Sequence, residues 1–143
     1  MGAKARILVV DDDRPTVLII SSVLRKQGYE VHTAFNGITG LKKAREVKPD
    51  LIILDIMMPI MDGYEVCRRL RRDPDTAGIA VLILTFKGGI DGGAEVPQRF
   101  IFHVQDRLRG FDVGAVEFLT KPVKAKELVK RVKSVLWTGG FSV

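Results

Sequence analysis

Five side chains carry the chemistry this sequence offers: Asp11, Asp12, Asp55, Thr85 and Lys121. Short, largely apolar runs lead into them, ILVV before Asp11, LIIL before Asp55, VLIL before Thr85 and EFLT before Lys121. Carboxylates held at close range repel, which raises at least one pKa unless a cation intervenes. A divalent cation relieves that repulsion, and carboxylate, carbonyl and water oxygens suit Mg²⁺. With a hydroxyl and an ammonium nearby, Asp55 is placed to attack a phosphoryl group as a carboxylate nucleophile. The metal and Lys121 would neutralise charge on the transferring phosphoryl oxygens. Singly, each residue has a plainer reading. Asp13 reads as a helix N-cap, Asp11-Asp12 as a turn, Thr85 as unremarkable and Lys121-Pro122 as a turn. Their joint occurrence at four strand ends is what points to a site.

The elements that must position them alternate as strand and helix with short gaps, the pattern of a parallel α/β sheet. Ile7–Val10 is the first strand. Val17, Ile20 and Leu24 repeat at helical spacing, with Pro15 in the first turn and Gly28 as the stop. Glu30–Phe35 alternates polar and apolar, which suits a sheet edge, and Asn36-Gly37 turns the chain. Ile38, Leu41 and Val47 mark the second helix; Leu51–Leu54 is a continuous apolar strand. Val66 and Leu70 give a third helix closed by Asp73-Pro74, and Ala80–Leu84 is the fourth strand. Leu108 and Phe111 lie on a fourth helix, Ala115–Leu119 is the fifth strand, and Leu128, Val132 and Val135 carry a fifth helix. Right-handed crossovers then require a doubly wound, five-stranded parallel sheet in (βα)₅ order. Strand order 2-1-3-4-5 brings the four reactive strand ends together at neighbour spacings of about 4.8 Å.

Composition narrows the class. The 143 residues suffice for one domain with a real core, and 46% hydrophobic with 28% charged residues is a globular balance. No apolar run approaches the roughly 20 residues of a membrane-spanning helix, and the first residues do not read as a signal peptide. Cys67 is the single cysteine, so cysteine-based zinc and intrachain disulfides are excluded, and a cytoplasmic location is expected. The net charge of +6 could favour an acidic partner. Arg68, Arg69, Arg71 and Arg72 fall in helical periodicity, however, as do Lys124, Lys126, Lys130, Arg131 and Lys133. There they are expected to solvate outer faces. Met57, Met58 and Met61 read as packing around a loop, Cys67 as a buried small residue, and His32 and His103 as edge residues without ligand-like neighbours.

The stretches ILVVDDD, PDLIILDIMMPIMDGYEVCRRLR, VLILT and GFDVGAVEFLTKPV resemble the response-regulator receiver domains of two-component signalling. The resemblance covers nearly the whole chain and implies a flavodoxin-like fold of the chemotaxis-regulator kind. It implies that Asp55 is the phosphoacceptor, taking a phosphoryl group from a phosphohistidine. Asp11 and Asp12 would hold Mg²⁺, with Asp55 and the backbone carbonyl of Met57 completing the protein ligands. Thr85 would move to meet the phosphoryl group, Lys121 would pair with it, and Phe118 would turn inward as the aromatic switch. The Lys121-Pro122 peptide is expected cis. The altered face would be that of the fourth helix, fifth strand and fifth helix. Partners implied are a sensor histidine kinase or phosphotransfer protein and a downstream output protein, with a homodimer through that face left open. The chain would be a switch that catalyses its own phosphorylation and slow dephosphorylation, not an enzyme in the ordinary sense. No helix-turn-helix segment follows, so direct nucleic-acid binding is not expected.

Two departures from the family pattern stand out. Phe86 replaces the usual small residue after the threonine and would restrict access to the pocket. Between the fourth strand and fourth helix, about 86–103 is an insertion whose second half fits either a helix or a short strand. The expected unit is a single domain over 5–137 with a tail at 138–143. A degenerate receiver signalling without phosphate is the alternative that these departures favour. An aspartate-nucleophile phosphatase fits less well, because Pro15 stands where its motif needs Thr or Val. A flavodoxin-like cofactor binder fits least, since three aspartates would repel its phosphate.

Overall fold

In the computed structural model, which describes residues 4–86 and 116–138, the apolar runs become five strands. They are β1 (Arg6–Val10), β2 (Glu30–Ala34), β3 (Leu51–Asp55), β4 (Ala80–Phe86) and β5 (Val116–Lys121). Between them run α1 (Arg14–Lys26), α2 (Gly37–Val47) and α3 (Gly63–Arg72), and α4 (Ala125–Thr138) closes the order. All strands pair in parallel in the expected order β2-β1-β3-β4-β5. The fold is flavodoxin-like. The fourth helix expected near Leu108 and Phe111 and His103 lie outside the described residues. So do the expectations for the Phe86 ring, the insertion beyond it and the tail from 139 on.

Side-chain alternation splits the core into two layers. Leu8 and Val10 of β1 join Leu41 and Ala44 of α2 and Val66, Cys67 and Leu70 of α3. Ile7 and Val9 face the other way, against Val17, Ile20 and Leu24 of α1 and Leu128, Val132 and Val135 of α4. Cys67 is buried as expected.

The caps follow local chemistry. Asp13 accepts from the Thr16 N–H and hydroxyl at the start of α1, and Asn36 accepts from the Thr39 N–H at the start of α2. The free edge of β2 is covered by cations: Arg25 donates to the Val31 carbonyl and Lys43 to that of Thr33. Such charges discourage another strand from adding to the edge.

Two expectations are corrected. Met57 is 57% exposed and does not pack, whereas Met58 and Met61 do. Arg71 does not solvate the outer face of α3; it is buried, and its Nη1 donates to the carbonyls of Ala77 (2.8 Å) and Ile79 (2.6 Å). Burial pulls its pKa down, yet it tethers the turn that leads into β4. Arg71→Ala is expected to cost about 2–4 kcal/mol in urea unfolding, from the lost packing and two abandoned carbonyls. A cost near zero would mean that water replaces the guanidinium.

Candidate functional site

Register builds the site. Val10 pairs with Leu54, so Asp11 and Asp55 emerge side by side as β1 and β3 end. Asp55 pairs with Leu84, which places Thr85 one residue beyond it on β4. Thr85 pairs with Thr120, so Lys121 starts one residue further out still, and its long side chain reaches back. Its Nζ lies 2.8 Å from Asp11 Oδ2 and 3.5 Å from Asp55 Oδ1. The Lys121-Pro122 peptide is cis.

Asp11, Asp55 and Thr85 are buried at 0%, 1% and 1% exposure, while Asp12 is exposed at the crevice mouth. One oxygen from each of Asp11, Asp12 and Asp55 falls within 4.8 Å of the others. Asp11 Oδ1 accepts from the Asp13 N–H at 2.9 Å, which fixes the loop that also caps α1. The Met57 N–H hydrogen-bonds to Asp55. On the far wall, Gly63 approaches the Asp55 backbone so closely that a Cβ there would lie 2.7 Å from the Asp55 carbonyl oxygen. Glycine is required by that contact.

Burial, then the charge of Asp11, pushes Asp55 up to about 7 from an ordinary 3.8, against the opposing pull of Lys121. Burial likewise raises Asp11. Burial alone would lower Lys121, but its hydrogen bond to Asp11 and the charges of Asp55 and Asp11 outweigh it and raise its pKa. Lysine is therefore the ammonium near neutrality, and among the described residues three carboxylates share one cation. The site is short of positive charge.

That shortage fits a divalent cation. Asp11 Oδ2 and Asp55 Oδ1 are both buried, and among the described residues the Lys121 ammonium is the group that stands close to them. Oxygen-only donors of this kind select a hard cation. Thr85 Oγ1 is also buried, without a hydrogen-bond partner among the described residues.

The remaining expected residues take separate places. Phe118 is partly buried and packs against the α2–α3 core layer, two residues before Thr120 on β5. His32 pairs with Glu30 on β2 at 2.8 Å and takes no part in the cluster. Sequence reasoning missed Arg71 and the exposed Ile60, which sits at φ 71° in the loop following Asp55. For Arg71 a signal was available: Cys67 to Arg71 is one helical step along the buried stripe of α3. For Ile60 the only hint was the preceding Pro59.

Residues 7–98 match the response regulator receiver domain family. The chain is 43% identical over 131 residues to the DNA-binding dual master transcriptional regulator RpaA of Synechocystis, covering 92% of this chain and 48% of RpaA. It is 36% identical over 132 residues to protein PilH of Pseudomonas aeruginosa, covering 92% of this chain and 98% of PilH. The solved structure of chemotaxis protein CheY4 of Vibrio cholerae matches with a TM-score of 0.77 at 30% identity, covering 93% of this chain and 99% of that one. The chain thus spans about half the length of RpaA but nearly all of PilH and CheY4. No helix among the described residues is long and apolar enough to cross a membrane. With a carboxylate cluster at the strand ends and a sequence match over most of its length, the chain belongs to the response regulator receiver domains of two-component signalling.

Proposed function

We propose that Asp55 accepts a phosphoryl group from a protein phosphohistidine, with Asp11, Asp12, Asp55 and the Met57 carbonyl holding Mg²⁺. The observation that carries this reading is the three-carboxylate cluster with, among the described residues, a single ammonium reaching into it. An Asp55 oxygen forms the new bond to phosphorus, and the bond from phosphorus to the donor's imidazole nitrogen breaks, its electron pair leaving with the imidazole. The metal, when bound, neutralises the carboxylates and polarises the phosphoryl oxygens. Lys121 moves its ion pairing from Asp55 to the incoming phosphoryl oxygens. Thr85 turns its hydroxyl to donate to one of them, and Phe118 follows into the space that Thr85 leaves. The face around β5 and α4 is thereby altered for an output partner. Water attack on the phosphorus of the aspartyl phosphate breaks the bond to the Asp55 oxygen and releases inorganic phosphate, which resets the switch slowly. The unit proposed to act is residues 5–137, in a cytoplasmic signalling chain, with the sensor kinase upstream and no nucleic acid bound by this unit itself.

Intact-mass measurement after incubation with acetyl phosphate tests the reading. We expect one phosphoryl increment that requires Mg²⁺ and is absent in Asp55→Asn. An increment that persists in Asp55→Asn would move the acceptor elsewhere. Absence of any increment, repeated in Phe86→Ala to open access, would favour a receiver that signals without phosphate.

A further inference from the structure

Arg14 is exposed, yet its guanidinium is held in place: the central carbon lies 4.3 Å from the centroid of the Phe35 ring. The ring's quadrupole attracts a cation set over its face. Phe35 is itself anchored, packing partly buried against the core layer of α1 and α4. Among the described residues Arg14 joins no ion pair. In that it differs from Arg45, Arg68 and Arg131, whose guanidinium groups each meet a carboxylate.

Strand register places this charge. Ala34 pairs with Val10 and Val10 with Leu54, so the residues that follow, Phe35, Asp11 and Asp55, leave three adjacent strands abreast. The Asp11 N–H donates to the Ala34 carbonyl at 3.2 Å, which ties the ends of β1 and β2 together. Phe35 and Asp55 therefore flank Asp11 two strand spacings apart, about 10 Å. The crevice thus has a braced cation on its β2 flank. Its own charges leave a use for one. Asp11, Asp12 and Asp55 bring three negative charges, which Lys121 and a bound divalent cation just balance. An arriving phosphodonor, itself a dianion, would meet a neutral floor with Asp12 exposed at the mouth. Net attraction has to come from the flanks.

We propose that Arg14, braced on Phe35, is an anion-capture residue that draws small dianionic phosphodonors, the acyl phosphates, into the crevice. It touches no reacting atom; it raises the rate of encounter and favours the more highly charged donor. The proposal rests on the phosphoacceptor reading above. One charge about 10 Å from a dianion in water changes its local concentration about threefold at low salt. The effect vanishes where the screening length falls to about 3 Å, at about 1 M salt.

The test measures second-order rate constants for phosphoryl uptake by the full chain, from intact-mass time courses at saturating Mg²⁺. Acetyl phosphate, a dianion, is compared with phosphoramidate, which carries one net negative charge near neutrality. The variants are Arg14→Gln and Arg14→Lys, with Lys26→Gln as a control that loses the same charge at the far, exposed end of α1. We expect Arg14→Gln to slow acetyl phosphate about threefold at low salt and phosphoramidate less than about twofold, with both effects gone in about 1 M KCl. Arg14→Lys should keep most of the wild-type rate, and Lys26→Gln all of it. An unchanged acetyl phosphate rate in Arg14→Gln would overturn the capture role. So would an equal slowing of both donors that persists at high salt, which would make Arg14 a structural brace. An equal slowing in Lys26→Gln would overturn it too, by assigning the effect to net charge. A wild type that takes up phosphoryl from neither donor, with Phe86→Ala also inert, overturns the phosphoacceptor reading and the capture role with it.

Discussion

Asp55→Asn is expected to stabilise the metal-free protein at pH 8 by about 2–4 kcal/mol, and to do so less and less as the pH falls. The folded state raises Asp55 from 3.8 to about 7, and each tenfold gain in proton affinity corresponds to about 1.4 kcal/mol. Below 3.8 both folded and unfolded chains carry a protonated carboxyl, so the aspartate costs nothing. Between 3.8 and 7 the unfolded chain ionises first, and the folded state loses stability as pH rises. Above 7 the penalty is complete. Asparagine removes the charge that burial and Asp11 oppose, while the 2.8 Å pairing of Lys121 with Asp11 remains. Urea unfolding in EDTA at pH 4, 5.5 and 8 measures the difference. Added Mg²⁺ should stabilise the wild type more than the variant, because a ligand that binds only the folded state shifts the balance by mass action. An equal effect of the substitution at pH 4 and pH 8 would contradict the buried-charge account.

Much of this arrangement was legible in the residues because regular structure and chemistry coincide at strand ends. A run such as LIIL can only be a buried strand or a buried helix turn, and the acid that follows marks where the chain re-emerges. Four such endings, with crossovers of one hand, leave little freedom in strand order. Asp13 was legible as a cap for the same local reason, since its side chain competes for the free N–H groups of α1.

Where the sequence misled, the decision lay in tertiary detail. Arg71 belongs to a run of arginines whose charge argues for solvent, but its helical phase, one step from Cys67, argues for the interior. Phase won, because the carbonyls of Ala77 and Ile79 accept from the guanidinium Nη1 inside the fold. Met57 and Ile60 lie in a loop without periodicity, so nothing in their spacing could separate the buried Met58 and Met61 from the exposed pair. The positive φ of Ile60 is dictated by how the loop closes over Asp55 and not by isoleucine itself.

Lys121→Gln is expected to separate two properties that a purely structural lysine would move together. The ammonium lies 2.8 Å from Asp11 and 3.5 Å from Asp55, so it competes with a divalent cation for the same oxygens. Removing it leaves three carboxylates without a counter-ion among the described residues. Mg²⁺ should then bind more tightly, by about tenfold or more, since even a screened charge at this range is worth over 1 kcal/mol. Phosphoryl uptake from acetyl phosphate should nevertheless fall by about 10²–10³, the usual effect of losing one preorganised donor to the transferring group. Metal-free stability at pH 8 should fall as well, because Asp11 and Asp55 stay buried with their partner gone. Calorimetric titration with Mg²⁺, initial phosphorylation rates at saturating Mg²⁺ and urea unfolding in EDTA give the three readings. Tighter metal binding with slower phosphorylation places the ammonium on the phosphoryl group during transfer. If both weaken together, Lys121 serves only to hold the carboxylates in place, and the transferring group must find its positive charge in the metal alone.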